Sequence, residues 1–183
     1  RRQPKKSRFI FNFREMIKDS LYIILCIFLS SCISQKSITK KNNINSVIGE
    51  ARTYIGTPYK WGGNDKLGID CSGLLVKSFE SIGMKIPRTT GQQIELGKTV
   101  SLFKTANWIR GKSISLKKTK KGDLVFFAFG KSKRKVTHVG LISKNNNPTD
   151  IDFIHASSSR GVVETQLIKE YYIKRIRKIK RVF

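Results

Sequence analysis

Ile69-Asp70-Cys71-Ser72-Gly73-Leu74-Leu75 sets a cysteine at the head of an apolar helical pattern. Asp70 is the kind of residue that caps a helix N-terminus, because its carboxylate accepts from N–H groups that have no partner within the helix. Leu75, Phe79 and Ile82 recur at helical spacing and Gly83 supplies a stop, so the stretch predicts a helix over 71–82 with one buried stripe. The thiolate, not the thiol, is the nucleophile, and a helix N-terminus is one setting that lowers a cysteine pKa from about 8.5 towards about 3.5–7.5. The helix dipole contributes only roughly 0.3–1 kcal/mol at an exposed site. An imidazolium neighbour is therefore expected to do most of the lowering.

Working outward, Val47-Ile48-x-x-Ala51-x-x-Tyr54-Ile55 reads as a helix that ends at Gly56, followed by a loop from Thr57 to Asn64. Pro87-Arg88-Thr89-Thr90 leads into a short helix around Gln92–Leu96. Beyond it the pattern becomes extended. Asp123–Phe129, His138–Ile142, Phe153–Ala156 and Gly161–Glu164 read as strands, and Asn145-Asn146-Asn147-Pro148 as a turn. Tyr171–Phe183 has a mixed period, and strand is favoured there. Helices first and strands later indicate an α+β domain with N-terminal helices packed on an antiparallel β-sheet.

The chain holds two histidines, His138 and His155, each within a predicted strand. A cysteine hydrolase needs a thiol, a base for its proton and an orienter for that base. Cys71 fits the first role, His138 the second, and His155 could bond the other ring nitrogen and fix the tautomer. The same three residues do not read as a metal site. The two histidines are 17 residues apart, and neither His-x-x-x-His nor Cys-x-x-Cys occurs.

Basic residues number 37 and acidic residues 12, a net charge of +25 on 183 residues. Residues 1–31 hold only seven of the basic and two of the acidic groups, so the excess belongs to the rest of the chain. Such a field favours polyanions, anionic wall polymer and acidic lipid among them. Nucleic acid is not expected, since no aromatic-basic repeat or binding motif accompanies the charge. Of the three cysteines, Cys26 and Cys32 lie near the start and only Cys71 lies in the globular part, which excludes a disulfide-stapled fold. Leu21–Leu29 is an unbroken apolar run, too short to span a membrane and suited to a signal-peptide core. Leu29-Ser30-Ser31-Cys32 resembles a bacterial lipobox, in which the cysteine is diacylated and becomes the new N-terminus. The expected organisation is an upstream extension over 1–15, with Met16 as the start, a lipoprotein signal peptide over 16–31, a polar tether over 32–45 and a catalytic domain over 46–183. The expected location is the cell envelope, anchored through lipid on Cys32 and facing the periplasm or cell wall.

Six segments occur in order: Gly56-Thr57-Pro58-Tyr59-Lys60-Trp61-Gly62-Gly63, Asp70-Cys71-Ser72-Gly73-Leu74, Pro87-Arg88-Thr89, Gly122-Asp123-Leu124-Val125-Phe126-Phe127, His138-Val139-Gly140 and Ile154-His155-Ala156-Ser157. Together they resemble the NlpC-type cysteine peptidases of bacterial cell walls, over about Val47–Thr165. The resemblance implies a papain-like core and hydrolysis of peptidoglycan stem peptides between D-glutamate, through its γ-carboxyl, and the diamino acid. It implies that Cys71 is the nucleophile, His138 the base and His155 the third polar residue. It further implies that Tyr59 helps the Cys71 backbone N–H hold the oxyanion. Asp70 and Ser72 would line the substrate groove and Arg88 would meet a substrate carboxylate. No cofactor is called for, and a monomer is expected. The stretch 100–120, which carries Trp108 among basic residues, is longer than the resemblance requires and reads as a flap or a wall-binding loop. Two other readings remain open: an amidase cutting between sugar and peptide, and a non-catalytic wall-binding module on the same scaffold.

Overall fold

A computed structural model describes residues 35–107, 111–130 and 134–183. The expected extension 1–15, the signal segment 16–31 and Cys32 lie outside the described residues, as does Trp108. The chain divides into two units, Arg1–Lys40 and Lys41–Phe183. In the first, residues 35–40 are helical. In the second, residues 41–53 form helix α1. The first domain helix thus starts ahead of Val47, inside the stretch expected to be a polar tether. Ile44 explains this: it packs against the same core as Val47, Ile48 and Ala51, which puts four apolar residues at helical spacing on one face.

The remaining elements are a small hairpin of β1 (Asn64–Asp65) and β2 (Gly68–Ile69), helix α2 (Cys71–Glu80), one turn of helix α3 (Thr90–Gln93), β3 (Lys98–Val100), β4 (Phe103–Asn107), β5 (Gly111–Ser115), β6 (Leu124–Phe127), β7 (His138–Asn147), β8 (Asp150–Ser157), β9 (Gly161–Gln166), one turn of helix α4 (Glu170–Ile173) and β10 (Ile176–Arg181). Six strands make an antiparallel sheet in the order β3-β10-β6-β7-β8-β9. The stretch 100–120 contributes a separate β4–β5 hairpin.

β6 shows how sequence pattern becomes layer structure. Leu124 and Phe126 join the core cluster beneath α1 and α2, while Val125 and Phe127 join a second cluster with Phe153, Tyr172, Ile176 and Ile179. All four are buried, so the strand reads as a continuous apolar run. Tyr171–Phe183 divides into α4 and β10, where strand alone was favoured. β10 is an interior strand between β3 and β6, and Phe183 beyond it stacks on Phe79 of α2 with ring centroids 5.6 Å apart. Asp123, which is buried, receives the Nε and Nη2 of Arg181 at 2.7 Å each and so ties the start of β6 to the end of β10. The expected turn at 145–148 narrows to the hairpin tip, because β7 runs on to Asn147 and β8 begins at Asp150.

Candidate active site

Helix α2 begins where its sequence requires. Asp70 is extended, and its Oδ1 accepts the Gly73 N–H at 2.7 Å. The same carboxylate accepts from Ser72 Oγ at 3.0 Å, from the Gly62 N–H at 2.9 Å, and from the two ends of the Arg88 guanidinium at 2.9 and 2.8 Å. Arg88 also donates to Ser72 Oγ at 2.8 Å and to the Gly63 carbonyl at 3.0 Å. A Cβ at Gly73 would stand 2.4 Å from the Gly63 oxygen, so the Trp61-Gly62-Gly63 loop can lie on the helix head only because glycine is there. Gln93 of α3, fully buried, donates to Ser72 O and Pro87 O and braces the first turn from the other side.

The consequence for the expected site residues is specific. Asp70, Ser72 and Arg88 are brought together, but into one internal lattice. The terminal N–H groups of Arg88, expected to meet a substrate carboxylate, are occupied by Asp70, Ser72 and Gly63. Burial alone would raise the Asp70 pKa. Hydrogen bonds from Arg88, the Gly73 N–H and Ser72 outweigh it and hold the carboxylate below its ordinary range.

Cys71 is 7% exposed. Its Sγ lies 3.7 Å from Thr90 Oγ1. Burial pushes the thiol pKa up, and the Val139 backbone, Thr90 and the Ser72 backbone counter it only in part. This differs from the expectation of a thiol lowered by an imidazolium: burial dominates at Cys71, and His138 is itself held neutral.

His138 opens β7 and His155 lies in β8. Their rings meet edge to face, with His138 Nε2 2.9 Å from His155 Nδ1. His155 stacks on Phe153 with centroids 4.7 Å apart, and Phe129 meets His138 edge-on at 5.4 Å. Gly140 leaves room for this packing, since a Cβ there would stand 2.6 Å from the Phe153 ring. Burial lowers the His138 pKa to about 4. Burial, aided by the His138 and Arg160 charges, lowers that of His155 to about 3. Both rings are therefore neutral at pH 7. His155 has a further partner that sequence reasoning missed: Tyr172 Oη lies 3.3 Å from its Nε2, and Arg160 Nη2 donates to the same hydroxyl at 3.1 Å. Tyr172 sits in the stretch of mixed period, so no spacing signal pointed to it. Thr90 was in view within the Pro87–Thr90 segment.

Two cavities adjoin. One, of about 550 Å³, is lined by Cys71, Asp70, Ser72, Arg88, Thr90 and Trp61, among others. The other, of about 440 Å³, is lined by His138, His155, Arg160, Lys169 and Tyr172, among others. Tyr59 and Thr137 line both, so the cavity at the sulfur and the cavity at the imidazoles share a wall. Tyr59 bridges to Ile69 just before the helix head. Burial, and then the neighbouring Cys71 and Asp70 negative charges, raise its pKa, which keeps the hydroxyl protonated and able to donate. Among the described residues, no cluster of ligating side chains suited to a metal ion occurs.

The profile of the NlpC/P60 family matches residues 56–181, more than half of the chain. The chain belongs to the NlpC/P60 family. The NlpC/P60 region contains every site residue named above, from Tyr59 to Tyr172. A relative from Escherichia coli K12, named murein DD-endopeptidase MepS/murein LD-carboxypeptidase, is 37% identical over 128 residues, covering 69% of this chain and 56% of that protein. The chain thus spans little more than half the length of that relative. The probable endopeptidase NlpC of the same organism is 29% identical over 170 residues, covering 88% of this chain and 97% of that one. A crystal structure of an NlpC/P60 family protein from Bacillus cereus superposes with a TM-score of 0.61 at 28% identity, covering 76% of this chain and 40% of that one. The fold is the papain-like α+β core of NlpC/P60 domains.

Proposed function

We propose that the protein is a cysteine peptidase that hydrolyses peptidoglycan stem peptides. The observation that carries this reading is the placement of Cys71 at a capped helix head, lining a cavity that adjoins the one lined by a hydrogen-bonded pair of neutral imidazoles. Names of NlpC/P60 relatives support the substrate class: one is named for murein peptidase activities, and another, from Bacillus subtilis, is named gamma-D-glutamyl-L-lysine dipeptidyl-peptidase. The bond we propose is the one between D-glutamate, through its γ-carboxyl, and the diamino acid.

In the proposed reaction the thiol turns from Thr90 towards Nδ1 of His138, the ring nitrogen left over once Nε2 is engaged by His155. Cys71 Sγ attacks the amide carbon as its proton passes to His138, and the carbonyl oxygen becomes an oxyanion. Tyr59 Oη and the Cys71 backbone N–H donate to that oxyanion; losing one such donor typically costs about 10²–10³ in rate. His138 then protonates the amine nitrogen, the C–N bond breaks, and a thioester remains. Water attacks the thioester with His138 as base and regenerates the thiol. For Nδ1 to accept, Nε2–H must donate to His155 Nδ1 and His155 Nε2–H to Tyr172 Oη. Arg160 can only donate, so that hydroxyl accepts from both sides and its own proton points elsewhere.

We also propose that the protein is exported and held in the cell envelope by lipid on Cys32, as Leu21–Leu29 and Leu29-Ser30-Ser31-Cys32 suggest. Cys32→Ser should then move the protein from the detergent phase to the aqueous phase. The catalytic reading is tested with purified sacculi and mass analysis of the soluble products, wild type beside Cys71→Ala. Release of muropeptides cut after γ-D-glutamate, lost in the variant, is expected. Undiminished release by Cys71→Ala would overturn it, and free sugar strands with intact stems would assign an amidase instead.

A further inference from the structure

The cavity on the imidazole side has an electrostatic character that the hydrolytic reaction alone does not require. Arg160 and Lys169 both line it, and among the described residues no carboxylate does. Arg160 spends one Nη2–H on Tyr172 Oη, which aims the guanidinium while leaving other N–H groups for a ligand. Neither Arg160 nor Lys169 has an acidic partner among the described residues. Three other arginines of the described domain do meet a carboxylate: Arg52 meets Glu164, Arg88 meets Asp70 and Arg181 meets Asp123. Aromatic rings of Phe129, Tyr171 and Tyr172 wall the same cavity.

The chemistry of the site gives this cavity a side. A base that has taken the thiol proton must return it to the departing amine, so the amine nitrogen stands at His138. The acyl half of the substrate then lies over Cys71 and the leaving half enters the cavity lined by His138, His155 and Arg160. An amino acid that leaves through its amine carries its α-carboxyl carbon two bonds from the reacting nitrogen. A diamino acid can carry a second carboxyl group further out.

We propose that this cavity is a subsite for an anionic leaving residue, with Arg160 as the carboxylate-binding group and Lys169 as a second cation. The proposal rests on the hydrolase reading and adds to it what that reading leaves open: a requirement for negative charge on the departing side. The terminal N–H groups of Arg88 are already engaged by Asp70, Ser72 and Gly63. Arg160 is exposed, outside both core clusters, so replacing it leaves the packing intact.

The experiment uses three peptides that share one γ-glutamyl acyl half. In the first the leaving residue has a free α-carboxylate, in the second an α-carboxamide, and in the third an α-carboxamide with a side-chain carboxylate. The wild type should cleave the first or the third at least tenfold faster in kcat/KM than the second, and which of the two is favoured identifies the source of the charge. Arg160→Gln should bring the ratio to within about twofold of unity, and Lys169→Gln should reduce it partially. Damage to the Tyr172–His155 contact would slow all three peptides alike and leave the ratios unchanged, so the ratio isolates charge recognition. Equal rates for the three in the wild type, or ratios that survive in Arg160→Gln, would overturn the subsite. If the wild type cleaves none of them, the hydrolase reading fails instead. Calorimetry of the same peptides with the Cys71→Ala protein then decides the subsite separately: tighter binding of a carboxylate peptide that Arg160→Gln abolishes supports it, and equal binding of all three removes it.

Discussion

Around Cys71, polar groups are locked by charge. One carboxylate, Asp70, collects a helix cap, a loop N–H, a serine hydroxyl and both arms of Arg88. Donor and acceptor roles there are fixed, because Arg only donates and an ionised carboxylate only accepts. Around His138 and His155 no carboxylate takes part, and the one charge in contact is Arg160, which donates to Tyr172 Oη. Two neutral imidazoles and a phenol meet in aromatic packing, at 2.9 and 3.3 Å. Each imidazole can donate or accept, so protons can be redistributed between the two rings without moving heavy atoms. The nucleophile side is built for position and the base side for proton transfer, and the two should respond oppositely to substitution.

The largest effect separates them. His138→Ala removes the base and should cost about 10²–10⁴ in kcat, with the midpoint of thermal unfolding unchanged or raised, since burying an imidazole carries a desolvation cost. Asp70→Ala should do the reverse first. It removes the cap of α2 and strands Arg88, for a loss of about 2 kcal/mol, the upper part of the range for a lost cap. Arg88 is more than a third exposed, so water limits the penalty for its lost partner. Unfolding midpoints and kcat measured together test the contrast. A large stability loss in His138→Ala, or none in Asp70→Ala, would break it.

Acid sharpens it next. His138 and His155 titrate near 4 and 3 in the folded chain, against about 6.5 when unfolded. Below pH 6.5 the unfolded chain therefore binds protons that the folded chain refuses. Stability contributed by the neutral pair is complete above about pH 6.5 and is lost as pH falls through 6.5 towards 4 and 3. Asp70, lowered when folded, adds loss in the same direction as pH falls below its ordinary value. Denaturant unfolding across pH 7 to 4 should show a decline of a few kcal/mol, shallower in His155→Gln. An equal slope in that variant would mean that the imidazole pair does not carry the effect. Activity has its own signature: His138 remains a free base down to about pH 4, so the acid limb of kcat/KM should lie well below the usual histidine range.

How much of this could be read from the residues divides along the same line. Asp70 as cap and Cys71 as first helical residue follow from local spacing, and α2 ends within two residues of the expected Ile82. β6 and the starts of β7 and β9 were legible because their burial patterns follow directly from apolar runs. The engagement of Arg88 was not legible. It depends on a loop folding back so that Gly62, Gly63 and Arg88 converge on one carboxylate, a contact spanning 18 residues. Tyr172 was hidden for a related reason. Its neighbours in sequence switch from a helical turn to a strand, which blurs any period, and its partner His155 lies 17 residues away on β8. The early start of α1 was masked by composition: one isoleucine among Lys, Asn and Ser is enough to anchor a turn, and composition alone averages it away.

The smallest effect tests the lattice at its point of contact with the sulfur. Burial raises the Cys71 pKa, and three contributions pull against it, from the Val139 backbone, Thr90 and the Ser72 backbone. A side-chain substitution reaches only that of Thr90. Thr90→Val keeps the shape of the side chain but removes the hydroxyl that lies 3.7 Å from Sγ. At that length the bond is weak, so the thiol pKa should rise only slightly. Alkylation by iodoacetamide at pH 7, which follows the thiolate fraction, should slow by about two- to fivefold, and the pH profile of the rate should shift upward by a few tenths of a unit. The imidazole side should not register the change: the acid limb of kcat/KM stays where it is in the wild type, because the hydrogen-bond partners of His138 and His155 are each other and Tyr172. If alkylation instead quickens, Thr90 is an acceptor that holds the thiol protonated, and the hydroxyl belongs with the adjustable groups of the base side and not with the fixed lattice of the nucleophile.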